Sequence, residues 1–345
     1  MKRFTMIVVV GFLIVTTGLA VFTRWQVMKL EARFPPVGTF VEADGRKIHL
    51  VDKPGPADRL PALFIHGASG NLLDQMHAFG DNLNGERRAL FVDRPGHGYS
   101  ERGDREQNSL AGQAASYAAV LDELGIEKAI IVCHSMGCAS GAAMAIHYPE
   151  KVAGLVFLAP ATHEWPGGVT WYYSVASLPV IGHLFTETLA LPAGLASIDA
   201  GVSSVFTPNE APKEYSQKIA APLVLRPSNF RNNAEDVAQL KQQVIDLSPR
   251  YPEIKVPTFI ITGDADNVVW PSIHSEGLER DIRNARLIVG EGIGHKPDYL
   301  MTDQALSAIR DIEKRYRSDA GETIATDIGN PEHVGCAGSG ERNAC

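Results

Sequence analysis

An apolar run near the middle of the chain ends abruptly at a serine. The run covers residues 129–134, is rich in β-branched side chains and is followed, after Ser135, by a stretch of small residues. This order predicts a buried strand, a sharp turn that carries the serine, and then a helix. Because such a turn strains the serine backbone, the positions two before and two after it need small side chains. Cys133 and Gly137 occupy these positions, so we interpret Ser135 as a candidate nucleophile.

A serine hydroxyl is a weak nucleophile at neutral pH and needs a base and an orienting acid. Two later segments of the chain contain candidates for these groups. A strand predicted at 257–262 leads into a loop that contains Asp264 and Asp266. A strand predicted at 285–290 leads into a glycine-rich loop that contains His295. Serine, carboxylate and histidine therefore follow one another in this order, each just past the carboxyl end of a predicted strand.

Two glycine-containing loops complete a set of four motifs. Residues 63–70 read Leu-Phe-Ile-His-Gly-Ala-Ser-Gly, and residues 93–100 read Asp-Arg-Pro-Gly-His-Gly-Tyr-Ser. Together with the serine turn and the order of acid and base, these motifs resemble the α/β-hydrolase superfamily, in its serine-nucleophile branch with a cap domain. The resemblance covers residues 39 to about 316. The sequence departs from the family pattern at Cys133, where the pattern has its first glycine.

The resemblance implies a catalytic triad. Ser135 would be the nucleophile and His295 the general base that takes its proton. Asp266 would orient that histidine, because it stands three residues after Gly263 as the acid of the family does, and Asp264 would be a loop or capping residue.

The resemblance also implies how the developing oxyanion is bound. The backbone N–H groups of Met136, directly after the nucleophile, and of Ala68, in the loop after the third strand, would face it. His66 would hold that loop in place. His97 and His134 flank glycines and apolar strands, where a histidine is more often a hydrogen-bonded core or pocket residue than a metal ligand. No metal and no organic cofactor is expected.

The implied reaction is hydrolysis of a carboxylic ester, or a related acyl bond, of a small hydrophobic molecule through an acyl-enzyme. A serine at the turn argues against the dehalogenase and epoxide-hydrolase branches, which use a carboxylate nucleophile. Relatives with this motif set also include lactonases, lipid hydrolases, carbon–carbon bond hydrolases, proline-type aminopeptidases and cofactor-free perhydrolases, and the sequence does not separate them. A non-catalytic, membrane-anchored binding protein of the same fold is the alternative from another class.

The N-terminus carries a second informative segment. Residues 6–22 contain no charged side chain and follow Lys2 and Arg3. A run of about 17 residues is close to the short limit for a membrane-spanning helix and exceeds the apolar core of a typical signal peptide. We therefore expect an uncleaved anchor with the catalytic domain outside the cytoplasm, either periplasmic or extracellular, because basic residues favour the cytoplasmic side. The alternative is secretion after cleavage of a signal peptide, because Gly18 and Ala20 are small residues with the A-x-A-like spacing of a cleavage site.

Alternation of apolar strands with helical segments predicts the fold class. Residues 39–52 alternate around an Asp-Gly turn, which predicts an antiparallel hairpin. The strand and helix patterns that follow are typical of an α/β fold with a mostly parallel, doubly wound sheet. The predicted strands cover 61–65, 88–93, 129–134, 153–159, 257–262 and 285–290, and the predicted helices cover 71–83, 109–124, 136–147, 272–282 and 299–316.

The residues between the sixth and seventh predicted strands lack this alternation. The segment resembles the helical cap that the superfamily inserts there, above the active site. Its apolar and aromatic side chains predict a hydrophobic acyl or aryl pocket, or contacts that hold the cap to the core. These side chains are Trp171, Tyr172, Tyr173, Leu178, Val180, Ile181, Leu184 and Phe185.

Composition agrees with one sizeable core and appended segments. The chain has 345 residues, of which 45% are hydrophobic. Its net charge of −8, with no basic stripe, argues against nucleic acid as a partner. The expected segments are an anchor and linker at 1–36, the core in two parts at 37–160 and 256–316, the cap at 161–255, and a polar tail expected to be disordered at 317–345.

The four cysteines do not establish the redox environment. Cys133 and Cys138 flank the candidate nucleophile and are expected to be packed thiols. Cys336 and Cys345 lie in the polar tail, where they would be free thiols by default or close a small loop in an oxidising compartment.

Overall fold

A computed structural model describes residues 2–83 and 85–328 of the chain, with residues 319–328 as backbone only. Its centre is one eight-stranded sheet. The strands are β1 Thr39–Ala43, β2 Arg46–Lys53, β3 Ala62–Ile65, β4 Ala89–Val92, β5 Ala129–His134, β6 Val152–Leu158, β7 Thr258–Gly263 and β8 Ala285–Gly290. Their order across the sheet is β1-β2-β4-β3-β5-β6-β7-β8. β2 is antiparallel to both neighbours and all other pairs are parallel, which confirms the predicted fold class.

The predicted hairpin opens the sheet. β1 and β2 pair with Ala43 opposite Arg46, so that Asp44 and Gly45 form the turn. Both turn residues have positive φ, 53° and 71°. Such a backbone is that of a type I′ turn, in which Asp-Gly is a favoured pair.

The parallel strands β3 to β7 are buried on both faces, whereas the edge strand β8 is partly exposed. Along β5, Ala129, Ile131 and Cys133 face one apolar layer, whereas Ile130 and Val132 face the other. Because helices cover both sides, such a strand is a continuous apolar run rather than an alternating one. The run before Ser135 has this character, and it places the serine at the carboxyl edge of the sheet.

Helices surround the sheet close to their predicted positions. They are α1 Lys2–Arg33, α2 Leu72–Phe79, α3 Leu110–Glu123, α4 Gly137–His147, α5 Trp171–Ala176, α6 Ile181–Phe185, α7 Leu191–Phe206, α8 Tyr215–Lys218, α9 Pro227–Leu247, α10 Pro271–Asp281, α11 Pro297–Leu300 and α12 Thr302–Ile328. A π-helical turn, Thr186–Ala190, joins α6 to α7, and 3-10 turns cover Pro149–Lys151, Ala221–Leu225 and Ser248–Glu253. Residues 159–257, all of them described, contain helices and no strand, which confirms a helical insertion after the sixth strand.

The last helix is longer than predicted. α12 continues to Ile328, past residue 316, where the predicted helix ends and the predicted disordered tail begins. Arg317 forms an ion pair with the buried Glu313, one turn earlier, at 3.0 Å. A change to polar composition does not end a helix when no proline interrupts it. The remainder of the predicted tail, 329–345, with Cys336 and Cys345, lies outside the described residues.

The N-terminal helix α1 extends from the domain and also contacts the cap. Arg24 forms an ion pair with Glu187 at 2.7 Å, and Glu31 forms one with Arg226 at 3.1 Å. By length and composition, two helical stretches of the described chain could cross a bilayer. These are Lys2–Arg33 and Ile181–Phe206, in which an 18-residue window has a mean hydropathy of 2.4 and 1.4, respectively.

Candidate active site

The turn between β5 and α4 holds Ser135 in a left-handed backbone conformation, with φ of 52°. Its N–H donates to the carbonyl oxygen of Leu158 at 2.9 Å. An ideal Cβ at Gly137 would lie 2.4 Å from the carbonyl oxygen of His66, so a side chain is excluded two residues after the serine. The backbone strain and the close approach are those expected of a nucleophile turn.

Cys133 fits where the family pattern has glycine, because the residue that faces it is itself a glycine. An ideal Cβ at Gly141, in α4, would lie 3.2 Å from the Sγ of Cys133. The absent side chain leaves room for the thiol. Cys133 and Cys138 are both buried and free, in agreement with the expectation of packed thiols.

Ser135, His295 and Asp266 meet at the carboxyl edge of the sheet, with exposed fractions of 7%, 4% and 3%. The Oγ of Ser135 lies 3.0 Å from Nε2 of His295, and Nδ1 of His295 lies 2.7 Å from Oδ2 of Asp266. If Nδ1 carries the proton that the carboxylate accepts, Nε2 is left as an acceptor for the serine hydroxyl. In this arrangement an imidazole can take the serine proton.

Asp266, rather than Asp264, reaches the histidine. Its second oxygen, Oδ1, accepts the backbone N–H groups of Val268 and Val269 at 2.8 and 2.9 Å, so both carboxylate oxygens are fixed. The Oδ1 of Asp264 accepts the N–H of Gly292 at 2.7 Å. Asp264 therefore joins the loop after β7 to the loop after β8.

His66 fixes the loop after β3 through both ring nitrogens. Nδ1 donates to the carbonyl oxygen of Gly67 at 2.8 Å, and Nε2 accepts the N–H of Arg94 at 3.0 Å. Burial, with the nearby charge of Arg94, lowers the pKa of His66 to about 4. The ring is therefore neutral near pH 7 and keeps one donor and one acceptor in place, as its expected structural role requires.

The two candidate oxyanion donors line the same cavity as the serine. In the described part of the chain, neither the N–H of Ala68 nor that of Met136 donates to another residue. The adjoining Ser69 has φ of 56° and is held by Asn233 of α9. Oδ1 of Asn233 accepts the N–H of Ser69 at 2.7 Å, and its Nδ2 donates to the Oγ at 3.1 Å. The cap thus positions the loop that carries the candidate donor Ala68.

A buried ion-pair cluster adjoins the candidate base. Nζ of Lys296 lies 2.9 Å from Oδ2 of Asp74 and 3.0 Å from Oδ2 of Asp298. Burial alone would lower the pKa of this ammonium, but the two carboxylates outweigh burial and hold the pKa well above its ordinary value. Tyr215, in α8 of the cap, donates to Oδ1 of Asp74 at 2.9 Å. The loop of His295 is thereby joined to α2, α11 and the cap.

His97 and His134 are hydrogen-bonded core residues. Nδ1 of His97 donates to the carbonyl oxygen of Pro95 at 3.1 Å, and Nε2 of His134 donates to that of His295 at 2.9 Å. Burial holds the pKa of both rings well below the ordinary histidine value. One set of side chains in the described residues, Asp74, His134 and Asp298, is close enough together to hold a cation, but the ammonium of Lys296 already bonds both carboxylates.

A cavity of about 790 Å³ lies between core and cap, and Ser135 and His295 both line it. This volume is within the usual range for sites that bind small molecules. The cap contributes an apolar and aromatic wall, with the side chains of Trp171, Tyr172, Tyr173, Phe185 and Phe230. The arrangement places a candidate nucleophile at one end of an apolar chamber.

The other apolar cap residues selected from the sequence do not line this cavity. Leu178, Val180, Ile181 and Leu184 are exposed by 44%, 81%, 59% and 47%. The expectation that they form a pocket wall or hold the cap to the core is therefore wrong. These side chains point away from the core, and composition alone does not show which face of a short helix is turned inward.

Three residues of the site were missed by sequence reasoning. Asp236 accepts from Arg94 at 2.7 Å, and Arg94 in turn donates to the carbonyl oxygen of Gly67. Asn233 and Asp236 lie in a polar helix, where such residues usually face solvent, and their core partners are distant in the sequence. For Lys296 a signal was present, because a lysine directly follows the candidate base in a loop of glycines and apolar residues.

Comparison with known proteins agrees with the geometry. A family model described as alpha/beta hydrolase fold matches residues 61–297, which is more than half of the chain. A curated relative, the 2-hydroxy-6-oxononadienedioate/2-hydroxy-6-oxononatrienedioate hydrolase of Paraburkholderia phymatum, is 30% identical over 213 residues, covering 59% of this chain and 68% of the relative.

Solved structures share the fold. The enol-lactonase from Burkholderia xenovorans LB400 superposes with a TM-score of 0.64 at 20% identity, covering 79% of this chain and 99% of that one. An esterase from Rhodococcus sp. ECU1013 superposes with a TM-score of 0.63 at 21% identity, covering 79% of this chain and 97% of that one. With the fold, the family model and hydrolase relatives in agreement, this chain belongs to the α/β-hydrolase family of enzymes.

Proposed function

We propose that the protein is a serine hydrolase that cleaves a carboxylic ester, or a related acyl bond, of a small hydrophobic molecule. The observation that carries this proposal is the hydrogen-bonded path from Ser135 through His295 to Asp266, at 3.0 and 2.7 Å, beside an apolar cavity. An acyl-transfer mechanism uses a serine, a histidine and a carboxylate linked in this order, which supports the proposal.

In the proposed reaction, the Oγ of Ser135 attacks the acyl carbon while Nε2 of His295 takes the serine proton and then gives it to the leaving alcohol. Asp266 orients the imidazole and stabilises its charged form. The N–H groups of Ala68 and Met136 bind the oxyanion, and one such donor contributes about 2.7–4 kcal/mol. Water, activated by the same histidine, then hydrolyses the acyl-enzyme.

The charge of the cavity favours an uncharged substrate. Among the described residues that line it, Lys296 is the one lysine or arginine, and its ammonium is paired with Asp74 and Asp298. A substrate carboxylate would meet no free cation there, and burial of an unpaired charge is costly. We therefore favour ester hydrolysis over carbon–carbon bond hydrolysis of an acid, the second candidate, which the name of the curated relative suggests.

Steady-state kinetics with p-nitrophenyl acetate, butyrate and octanoate test this proposal. kcat/KM should rise with chain length, because a longer acyl chain buries more apolar surface in the cavity. A 2-hydroxy-6-oxo-dienoate should be turned over much more slowly than the octanoate. Preference for the acetate, or faster turnover of the dienoate, would contradict the proposed substrate class.

We further propose that α1 is an uncleaved membrane anchor and that the catalytic domain lies outside the cytoplasm. The support is that Thr16, Leu19 and Ala20 are partly buried, and cleavage after Ala20 would remove all three. Mass spectrometry of the expressed protein should find its original N-terminus in the membrane fraction, and a protease added outside spheroplasts should digest the domain. A soluble product that begins after Ala20 would refute the anchor.

A further inference from the structure

The cap carries a group of exposed apolar side chains on its outer surface. Trp171, Val180, Ile181, Leu184 and Leu189 are exposed by 66%, 81%, 59%, 47% and 50%, and together they are named here the outer cap face. They belong to α5, α6 and the segments that adjoin them. Only 17% of the most apolar part of the stretch Ile181–Phe206 is buried. Ile181 and Leu184 are three residues apart on α6 and so share one face, directly after Val180. An exposed apolar patch of this kind marks a site of interaction.

α1 packs beside the outer cap face through one side of the helix. The residues of α1 that are buried or partly buried recur at intervals of three and four, which is the spacing of a single helical face. They are Thr16, Leu19, Ala20, Thr23, Gln26, Val27 and Leu30. This face meets the π-helical turn that continues α6, and the ion pair between Arg24 and Glu187 lies at the same contact.

The length of α1 fixes where the cap must lie relative to a bilayer. The uncharged part of the helix runs from Phe4, after Arg3, to Thr23, before Arg24. A hydrocarbon core of about 30 Å requires about 20 residues at a rise of 1.5 Å each, which is the whole of this segment. The exposed part before Thr16 is too short to cross alone. If α1 spans the bilayer as proposed above, its first packed turns lie within the bilayer and the cap surface beside them is at its boundary.

We propose that the outer cap face rests in the interface of the bilayer that holds α1, and that the cavity receives its hydrophobic substrate from that bilayer. This proposal rests on the proposed anchoring of α1. Trp171 connects the outer cap face with the cavity, because its side chain is 66% exposed and also lines the cavity. Phe185 and Ala190 belong to α6 and to the π-helical turn, which also carry Ile181, Leu184 and Leu189 of the outer cap face, and both line the cavity. A substrate dissolved in lipid would reach Ser135 without crossing water.

Lipid contact can be measured directly. In full-length protein with Cys336→Ser and Cys345→Ser, a fluorophore is attached at Val180→Cys or, as the matched control, at Glu127→Cys. Glu127 is exposed and precedes β5, at the edge of the sheet opposite Ser135. The native Cys133 and Cys138 are buried. Each protein is reconstituted in phosphatidylcholine vesicles that contain spin-labelled lipid.

The spin label should quench the fluorophore at position 180 severalfold more strongly than the one at position 127. Equal, weak quenching at both positions in protein that floats with the vesicles would overturn the proposal and leave the anchor intact. Protein that does not float with the vesicles would refute the anchor itself, so the two failures are distinguishable.

A second measurement tests whether the substrate enters the cavity from the bilayer. It also tests whether the outer cap face instead binds a second copy of the chain. The variant Val180→Ser, Ile181→Ser, Leu184→Ser changes three side chains that do not line the cavity. Hydrolysis of a long-chain ester dissolved in vesicles should fall at least fivefold, whereas hydrolysis of soluble p-nitrophenyl butyrate should be unchanged. An unchanged vesicle rate would overturn the proposal. A wild-type dimer in detergent that the variant converts to monomers would also overturn it, because the face would then bind a second copy.

Discussion

The amide of Asn233 holds the loop that presents one proposed oxyanion donor. Its two hydrogen bonds to Ser69 fix both the backbone N–H and the side-chain Oγ of that residue. Ser69 is in the left-handed region, with φ of 56°, where a residue other than glycine stays only if its surroundings hold it. The direction of the preceding N–H, that of Ala68, therefore depends on a side chain of the cap.

We predict that Asn233→Ala lowers kcat roughly 10- to 100-fold while KM changes little, because a displaced oxyanion donor affects the transition state more than the bound ester. Steady-state kinetics with p-nitrophenyl butyrate measure both constants.

The neighbouring Asn232 provides the matched control. It is also a buried amide of α9, but its Nδ2 donates to the carbonyl oxygen of Gly96, away from the oxyanion loop. Each alanine variant loses buried hydrogen bonding worth about 1 kcal/mol per bond, so both should be destabilised. If Asn232→Ala lowers kcat as much as Asn233→Ala does, the effect is one of general packing and not of the loop.

The proposed reacting groups could be located from the sequence because each follows a strand. Ser135, Asp266 and His295 stand just past β5, β7 and β8, and parallel strands bring their carboxyl ends to one edge of the sheet. Asn233 could not be found in this way. Its partner Ser69 is 164 positions away in the sequence. A contact between the cap and a core loop leaves no recognisable pattern in the residues next to either partner.

At the scale of elements, α9 is joined to the core by buried charge. The carboxylate of Asp236 accepts from Arg94 and from Arg102, each at 2.7 Å. Arg94 is 1% exposed and also donates to the carbonyl oxygen of Gly67 at 3.2 Å. One aspartate of the cap thus holds two arginines of the core in place. One of these arginines, Arg94, also holds the loop that contains Gly67 and the candidate donor Ala68.

We predict that Asp236→Asn destabilises the fold by about 3 kcal/mol, because it leaves the buried Arg94 guanidinium without its counter-charge. Glu235→Gln removes the half-buried second partner of Arg102 and should cost less than about 1 kcal/mol. Urea unfolding followed by circular dichroism measures both values. Equal, small effects would show that the buried charge does not hold the cap.

The elements themselves were largely predictable, for a physical reason. Strands buried on both faces are continuous apolar runs, and helices that cover them begin and end near polar or glycine residues. The outer cap face and the end of α12 were not predictable. α6 is helical while Ile181 and Leu184 stay exposed, so its composition gives no information about which face is turned inward. α12 contains no proline at which its end could be placed from the sequence.

At the scale of the whole molecule, the core contains histidines that burial keeps neutral. Burial lowers the pKa of His66 and of His274 to about 4, and it holds the pKa of His97 and His134 well below the ordinary value of 6.5. In the unfolded chain these rings bind protons below about pH 6.5, whereas in the folded protein they do not until lower pH. Their contribution to stability is therefore complete above pH 6.5 and is lost as the pH falls towards 4.

We predict that the free energy of unfolding falls between pH 6.5 and 4, by about 3 kcal/mol for His66 alone. The variant His97→Asn keeps a donor for the carbonyl oxygen of Pro95 but removes one titrating ring. Its stability should therefore depend less steeply on pH than that of the wild type. Denaturant unfolding at pH 7.5, 6 and 5 compares the slopes, and parallel slopes would exclude His97 from this dependence.

Labelling with a fluorophosphonate probe, followed by peptide mass spectrometry, tests the proposed activated serine most directly. The folded wild-type protein should be labelled at Ser135, and labelling should disappear in Ser135→Ala and His295→Ala. It should persist in Ser140→Ala, which removes a buried serine of α4 that lies outside the proposed triad. A folded wild-type protein that stays unlabelled, or that is labelled at another residue, would contradict the assignment of this site.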